Sequence, residues 1–161
     1  MSTTAKNRAS AGVIVSVNIS ERKTVRKPPG KRGRLIKDRG FEDDAHAGDW
    51  HRQVSLLAQE SIDTMIAKGL DVGPGDFAEN VTTSGIDLVS LPVGTILQVG
   101  ADSILEVSQI GKECHSKCAI YYQAGDCVMP REGIFATVSV TGDVAVGDRI
   151  MIVSSPESEE V

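Results

Sequence analysis

Aromatic side chains are scarce in this chain of 161 residues, with three Phe, two Tyr and one Trp. That scarcity excludes a core built on large rings, and it excludes the interleaved aromatic surface that stacks single-stranded nucleic acid. Long apolar runs are missing too, since the longest are strand-sized and broken by polar residues, so nothing is long enough to span a bilayer. Residues 1–10 are polar with scattered Lys and Arg and lack the apolar segment of a secretory signal, which reads as a disordered lead and a cytoplasmic protein. Cysteine occurs only as Cys114, Cys118 and Cys127. An odd number of thiols without an export signal argues against a structural disulfide framework.

What is present favours sheet. Hydrophobic residues make up 40% of the chain, mostly Val, Ile and Leu, and 16 glycines supply tight turns. Residues 12–19 alternate toward their end and read as a first strand; 35–37, 53–58, 77–82, 103–109 and 133–140 are further strands. Leu91-Pro-Val-Gly-Thr95 and Val144-Ala-Val-Gly147 each set a Val-Gly turn before a strand, as small barrels do at a sharp corner. Over residues 59–68, Ile62, Met65 and Ile66 share one helical face and Gly69 supplies the stop. Seven to nine short strands with one principal α-helix and short helical turns predict a mainly β fold, a β-barrel or strongly curved sheet. It forms a single domain over residues 11–153, followed by an acidic, unstructured tail over 154–161.

Three groups of residues carry chemistry. Residues 22–39 hold nine Lys and Arg against the single acid Asp38, within a chain of net charge −5. Such a segment attracts phosphates, pyrophosphates or nucleic acid, and its alternative reading is a solvated loop kept irregular by Pro28-Pro29-Gly30 and Gly33. Glu42, Asp43, Asp44, His46, Asp49 and His51 crowd into ten residues around Trp50, a density suited to a divalent metal or to acid–base work, or simply to satisfying loop amides. Cys114 stands among Lys112, His115 and Lys117, the cationic neighbours a thiolate needs near neutral pH. Structural zinc would have to draw on His115 and all three thiols, because no second Cys pair exists. Cys118 and Cys127 also fit the role of small buried hydrophobes.

The ordered series of pieces resembles the MOSC domain, found at the C-terminus of molybdenum cofactor sulfurases and as stand-alone bacterial proteins. The matching pieces are Gly40-Phe-Glu-Asp-Asp-Ala-His46, Gln53-Val-Ser-Leu-Leu57, Gly75-Asp-Phe-Ala-Glu-Asn80, Leu91-Pro-Val-Gly-Thr95 and Val107-Ser-Gln109 leading to Cys114. The resemblance spans residues 13–152 and implies a β-rich barrel similar to that of pyruvate kinase. It departs from the family pattern at Asp43 and Ala78, where glycine is usual, so the backbone near Asp44 and Glu79 is expected to differ.

By that resemblance Cys114 is the hallmark residue, either carrying sulfur as a persulfide or ligating molybdenum. The implied cofactor is the molybdenum cofactor (molybdopterin), an anionic dithiolene ending in a phosphate. Arg22, Lys23, Lys31, Arg32, Arg34, Lys112 and Arg131 would meet its charge, Glu79 and Asn80 a pterin edge unless they serve a barrel corner, and Asp44 and His46 would orient it or move a proton. Pyridoxal phosphate, flavin and nicotinamide are not expected. The implied activity is a sulfur carrier, sulfurtransferase-like, that delivers sulfane sulfur to a metal–sulfur centre with a cysteine desulfurase or a molybdenum-cofactor biosynthesis or acceptor protein as partner. The alternative is a non-catalytic barrel module that holds a metal or oxyanion for a partner protein. A nucleic-acid role is disfavoured by the acidic remainder of the chain, and no membrane partner is expected.

Overall fold

Short runs rich in Val, Ile and Leu become strands in the computed structural model. The structure describes residues 11–21, 27–45, 47–110 and 133–156. Eleven strands lie among them: β1 (Ala11–Asn18), β2 (Pro29–Gly30), β3 (Arg32–Ile36), β4 (Gly40–Phe41), β5 (Val54–Ala58), β6 (Val81–Ser84), β7 (Ile96–Val99), β8 (Ser103–Ile110), β9 (Ile134–Val140), β10 (Gly142–Ala145) and β11 (Arg149–Ser154). The same residues hold one α-helix, α1 (Gln59–Ala67), which follows β5, and one 3-10 turn over Leu88–Ser90.

Seven strands run in the order β11-β7-β8-β9-β5-β6-β1, and β11 pairs back onto β1 to close a barrel. Closure leaves no free edge in that ring, and β2 adds only a short pairing outside β1. Every neighbouring pair is antiparallel except β5 and β6, whose parallel connection requires a crossover, and α1 supplies it. The remaining strands form a small sheet, β10-β3-β4.

The barrel interior is aliphatic. Ile14, Val17, Val54, Leu56, Val81, Leu97, Leu105, Val107, Ile134, Ala136 and Ile150 meet there, and the small sheet adds Leu35, Phe41 and Val144 to the same core. On β5 and β9 the intervening residues point the other way, so Leu57 and Phe135 lie on the outer face and join Ile62, Met65, Leu70 and Phe77 in a second cluster under α1. The helix ends as expected: Gly69 adopts φ +95°, its N–H bonds to the Ile66 carbonyl at 2.9 Å, and Leu70 reaches back to the Met65 carbonyl at 3.3 Å. Ile66 turns outward, at 44% exposure, so the buried helical face is narrower than its spacing suggested.

Two expectations need correction. Within the basic segment, regular structure forms despite Pro29 and Gly33. Pro29 sits on the edge strand β2, and Gly33 lies in β3 because a side chain there would sit 2.9 Å from the Phe41 ring. The strand expected over residues 77–82 begins only at Val81 and runs to Ser84, since Gly75 and Ala78 close a turn first, with the Ala78 N–H 3.0 Å from the Gly75 carbonyl.

Candidate functional site

Loops at the end of β1 and the starts of β5 and β6 converge on buried polar residues. Asp44 follows a turn in which its N–H bonds to the Phe41 carbonyl at 3.2 Å. Position 43 of that turn needs a positive φ, and Asp43 adopts φ 68°. The side chain of Asp44 enters the interior, where its Oδ1 accepts from the Lys27 ammonium at 2.8 Å and from the Ser20 N–H at 3.0 Å. Both members of this ion pair have 0% side-chain exposure, so the pair ties Lys27 to the loop after β4. Lys27 also donates its N–H to the Gly75 carbonyl at 2.8 Å, which brings in a third loop.

Glu79 and Asn80 are buried with partners in their own chain. The Glu79 carboxyl accepts from the N–H groups of Gly75 and Phe77 and from the Thr82 hydroxyl. Burial raises its pKa above the usual carboxyl value, and those hydrogen bonds oppose the rise. Asn80 Oδ1 accepts from the Ser55 N–H and hydroxyl, and its amide donates to the Asn18 carbonyl. Asn18 in turn donates to the Glu79 carbonyl and the Thr82 hydroxyl. These groups tie β1, β5 and β6 together, which is the barrel-corner role open to them from the sequence.

A second arrangement lies on the outer face, beside Phe135 at the start of β9 and the end of β8. Ser108 donates its hydroxyl to the His51 carbonyl, and His51 Nε2 lies 2.7 Å from Gln109 Oε1. The acidic, His-containing segment and the Ser-Gln strand end, read separately in the sequence, are thus in hydrogen-bond contact. Arg52 follows directly. Its guanidinium carbon lies 4.7 Å from the Trp50 ring centroid and 5.6 Å from that of Phe135. Its Nε is buried and has no hydrogen-bond partner among the described residues. Charge counting passed over Arg52 because it lies outside the dense basic run; the adjacent lone Trp was the available signal.

Of the expected cations, Lys31, Arg32 and Arg34 are exposed on or beside β3. Arg32 borders an open depression of about 520 Å³ that also includes Asp143 and Asp148, and Asp143 stands directly opposite Arg34 in register. Glu42, Asp43, Asp49 and His51 are exposed, and among the described residues no group of three or more His, Cys, Asp or Glu is placed to hold a metal. Arg22, Lys23, His46, Lys112, Cys114, Cys118, Cys127 and Arg131 lie outside the described residues. No described helix is long and apolar enough to cross a membrane.

Comparison with known proteins agrees with this architecture. The MOSC domain family matches the chain over residues 43–151. The crystal structure of the YuaD protein from Bacillus subtilis is similar at a TM-score of 0.73 and 18% identity, over 88% of this chain and 95% of that one. YiiM from Escherichia coli gives a TM-score of 0.65 at 19% identity, over 89% of this chain and 70% of that one. YiiM from Geobacillus stearothermophilus gives 0.65 at 20%, over 89% and 75%. At such identities the likeness concerns the fold. No curated protein matches the chain in sequence.

Proposed function

The chain belongs to the MOSC domain family, whose members are associated with the molybdenum cofactor, and from that premise we propose that it is a sulfur carrier serving a metal–sulfur centre through Cys114. The observation that carries the reading is the contact of His51 with Gln109 and Ser108 at the end of β8. Cys114 follows Ile110, the last residue of β8, by four positions. A tether of four residues reaches at most about 14 Å, which supports reading the thiol together with this pinned strand end.

The donor set fits an anionic cofactor. Lys31, Arg32 and Arg34 offer exposed cations, and none of them has an ion-pair partner among the described residues. They would hold the phosphate end, while Asp143 opposite Arg34 limits how much negative charge that strip accepts. When bound, the cofactor supplies the metal–sulfur centre. This chain's part is to bind it and bring sulfur. Asp44 accepts from Lys27 and from the Ser20 N–H, and through these bonds it fixes the loop after β4.

Loading of the thiol needs no external oxidant: the Cys114 thiolate attacks the outer sulfur of a donor persulfide, the donor cysteine leaves as thiolate, and the sulfane sulfur stays on Cys114. Protein incubated with a cysteine desulfurase and cysteine is expected to gain the mass of one sulfur on the peptide containing Cys114, and Cys114→Ser is expected to gain none there. Equal labelling of both proteins removes Cys114 from the reaction. Stoichiometric metal or oxyanion retained without sulfur transfer favours the binding-module alternative.

A further inference from the structure

We propose that the outer face of β11, β7 and β8 is the contact surface of a symmetric dimer, with a second copy of this chain as its occupant. The inference is independent of Cys114.

The two sides of the barrel differ. On β5 and β9 the outward residues Leu57 and Phe135 are covered by α1 and its cluster. β11, β7 and β8 contribute no residue to that cluster. Their outward side chains Met151, Ile96 and Ile104 belong to neither apolar cluster, and Val153 is 56% exposed. Register draws them into one surface, because Met151 lies opposite Gln98 and Gln98 opposite Ile104. A strand face turned to water normally carries polar and charged residues. Here charge is nearly missing: in a chain with 24% charged residues, Arg149 is the one charge on β11, Glu106 the one charge on β8, and β7 has none. An uncovered apolar face of this kind marks an interaction surface.

The two charges select the occupant. The Arg149 carbonyl accepts from the Gly100 N–H at 2.9 Å, which sets Arg149 beside the position two residues after Gln98, and Glu106 lies opposite Ile96, two residues before it. They therefore flank β7 on opposite sides, at equal and opposite offsets from Gln98. By strand spacing and rise they are roughly 17 Å apart, too far to meet within one chain. Neither has an ion-pair partner among the described residues. A two-fold axis lying in this face, over Gln98 and at right angles to the line from Arg149 to Glu106, sets each Arg149 on the Glu106 of the other copy. The same rotation lays Met151 of one copy against Ile96 of the other. The face is thus self-complementary, as an interface between identical copies requires, whereas a partner carrying one sign of charge satisfies only half of it. Three strands by six residues cover only about 14 Å by 20 Å, the small end of specific interfaces, so association is weak and concentration-dependent. The contact stops short of Ser108, whose hydroxyl already holds the His51 carbonyl, so the end of β8 that leads to Cys114 lies outside it.

Sedimentation velocity of the full chain between about 5 and 500 µM is expected to show a monomer–dimer equilibrium with a Kd on the order of 10–100 µM, weakening as salt is raised. Arg149→Glu and Glu106→Arg, both at exposed positions, are each expected to weaken the dimer by at least about tenfold, since each turns two attractive pairs into repulsive ones. An equimolar mixture of the two variants restores the dimer, because the reversed charge on each copy meets its complement on the other. The double variant restores it for the same reason. Should either reversal fail to fold, Met151→Ser on the same face decides the matter, with an expected weakening of about fivefold. A wild-type chain that stays monomeric throughout, a dimer indifferent to these substitutions, or folded reversal variants that mixing does not rescue overturns the proposal.

Discussion

Asp38, Asp43 and Ala78 occupy left-handed backbone at φ 62°, 68° and 64°, conformations that glycine holds without a Cβ penalty. Asp tolerates this region and Ala does not, so the strain concentrates at Ala78. The three include both positions where the resemblance led us to note a residue other than glycine, Asp43 and Ala78. Ala78→Gly is therefore expected to stabilise the protein by about 0.5–1 kcal/mol, offset in part by the entropy of glycine in the unfolded chain, raising the melting temperature by roughly 2–3 °C. A lower melting temperature contradicts the strain argument. The next residue gives a pH dependence. Burial raises the pKa of Glu79 above 4.5, so between 4.5 and the raised value the folded state keeps a proton that the unfolded state has released. Its contribution to stability is full below that window and is lost as pH rises through the folded pKa. The difference in urea midpoint between wild type and Glu79→Gln should shrink as pH rises from about 4 to 8. A difference that is flat or grows with pH is the contrary result.

At the scale of elements, the junction of loops is held by one buried charge pair and one close backbone approach. A Cβ on Gly75 would lie 1.9 Å from the Lys27 carbonyl, so the loop before Glu79 and the loop carrying Lys27 fit only with glycine there. Removing one partner of the Lys27–Asp44 pair leaves a buried charge uncompensated. Lys27→Met and Asp44→Asn are each expected to cost about 3–5 kcal/mol in urea unfolding, and the double replacement less than the sum of the two. A loss below about 1 kcal/mol for either single variant means that water reaches the pair. The elements most legible in the sequence were those with clear periodicity or punctuation: β1, β5, β8, β9 and the helix with its Gly69 stop. The small sheet was mostly not legible. Gly33 reads as a breaker, yet it makes room for Phe41, a packing requirement between neighbouring strands that no local pattern records.

Across the whole molecule, barrel closure decides what can meet. Pairing of β11 with β1 encloses one aliphatic core, leaving the helix cluster and the contact of Arg52 with Phe135 outside on the face that β5 and β9 share. Family membership was legible because motif order survives low identity. The contact of His51 with Gln109 was not, since 58 positions separate them and only the ladder of β8 with β9 and β5 brings them together. Arg52 escaped notice for the opposite reason: a lone cation carries no density signal, and its meaning comes from Phe135, a ring far along the chain on β9. The central claim is that this barrel serves sulfur chemistry at a molybdenum centre through one thiol, and anaerobic native mass spectrometry of the protein from its own cell tests it most directly. The account predicts one added sulfur confined to the peptide bearing Cys114, or one molybdenum cofactor per chain lost on Cys114→Ser. A protein that carries neither, or one in which sulfur is spread equally over Cys114, Cys118 and Cys127, contradicts it.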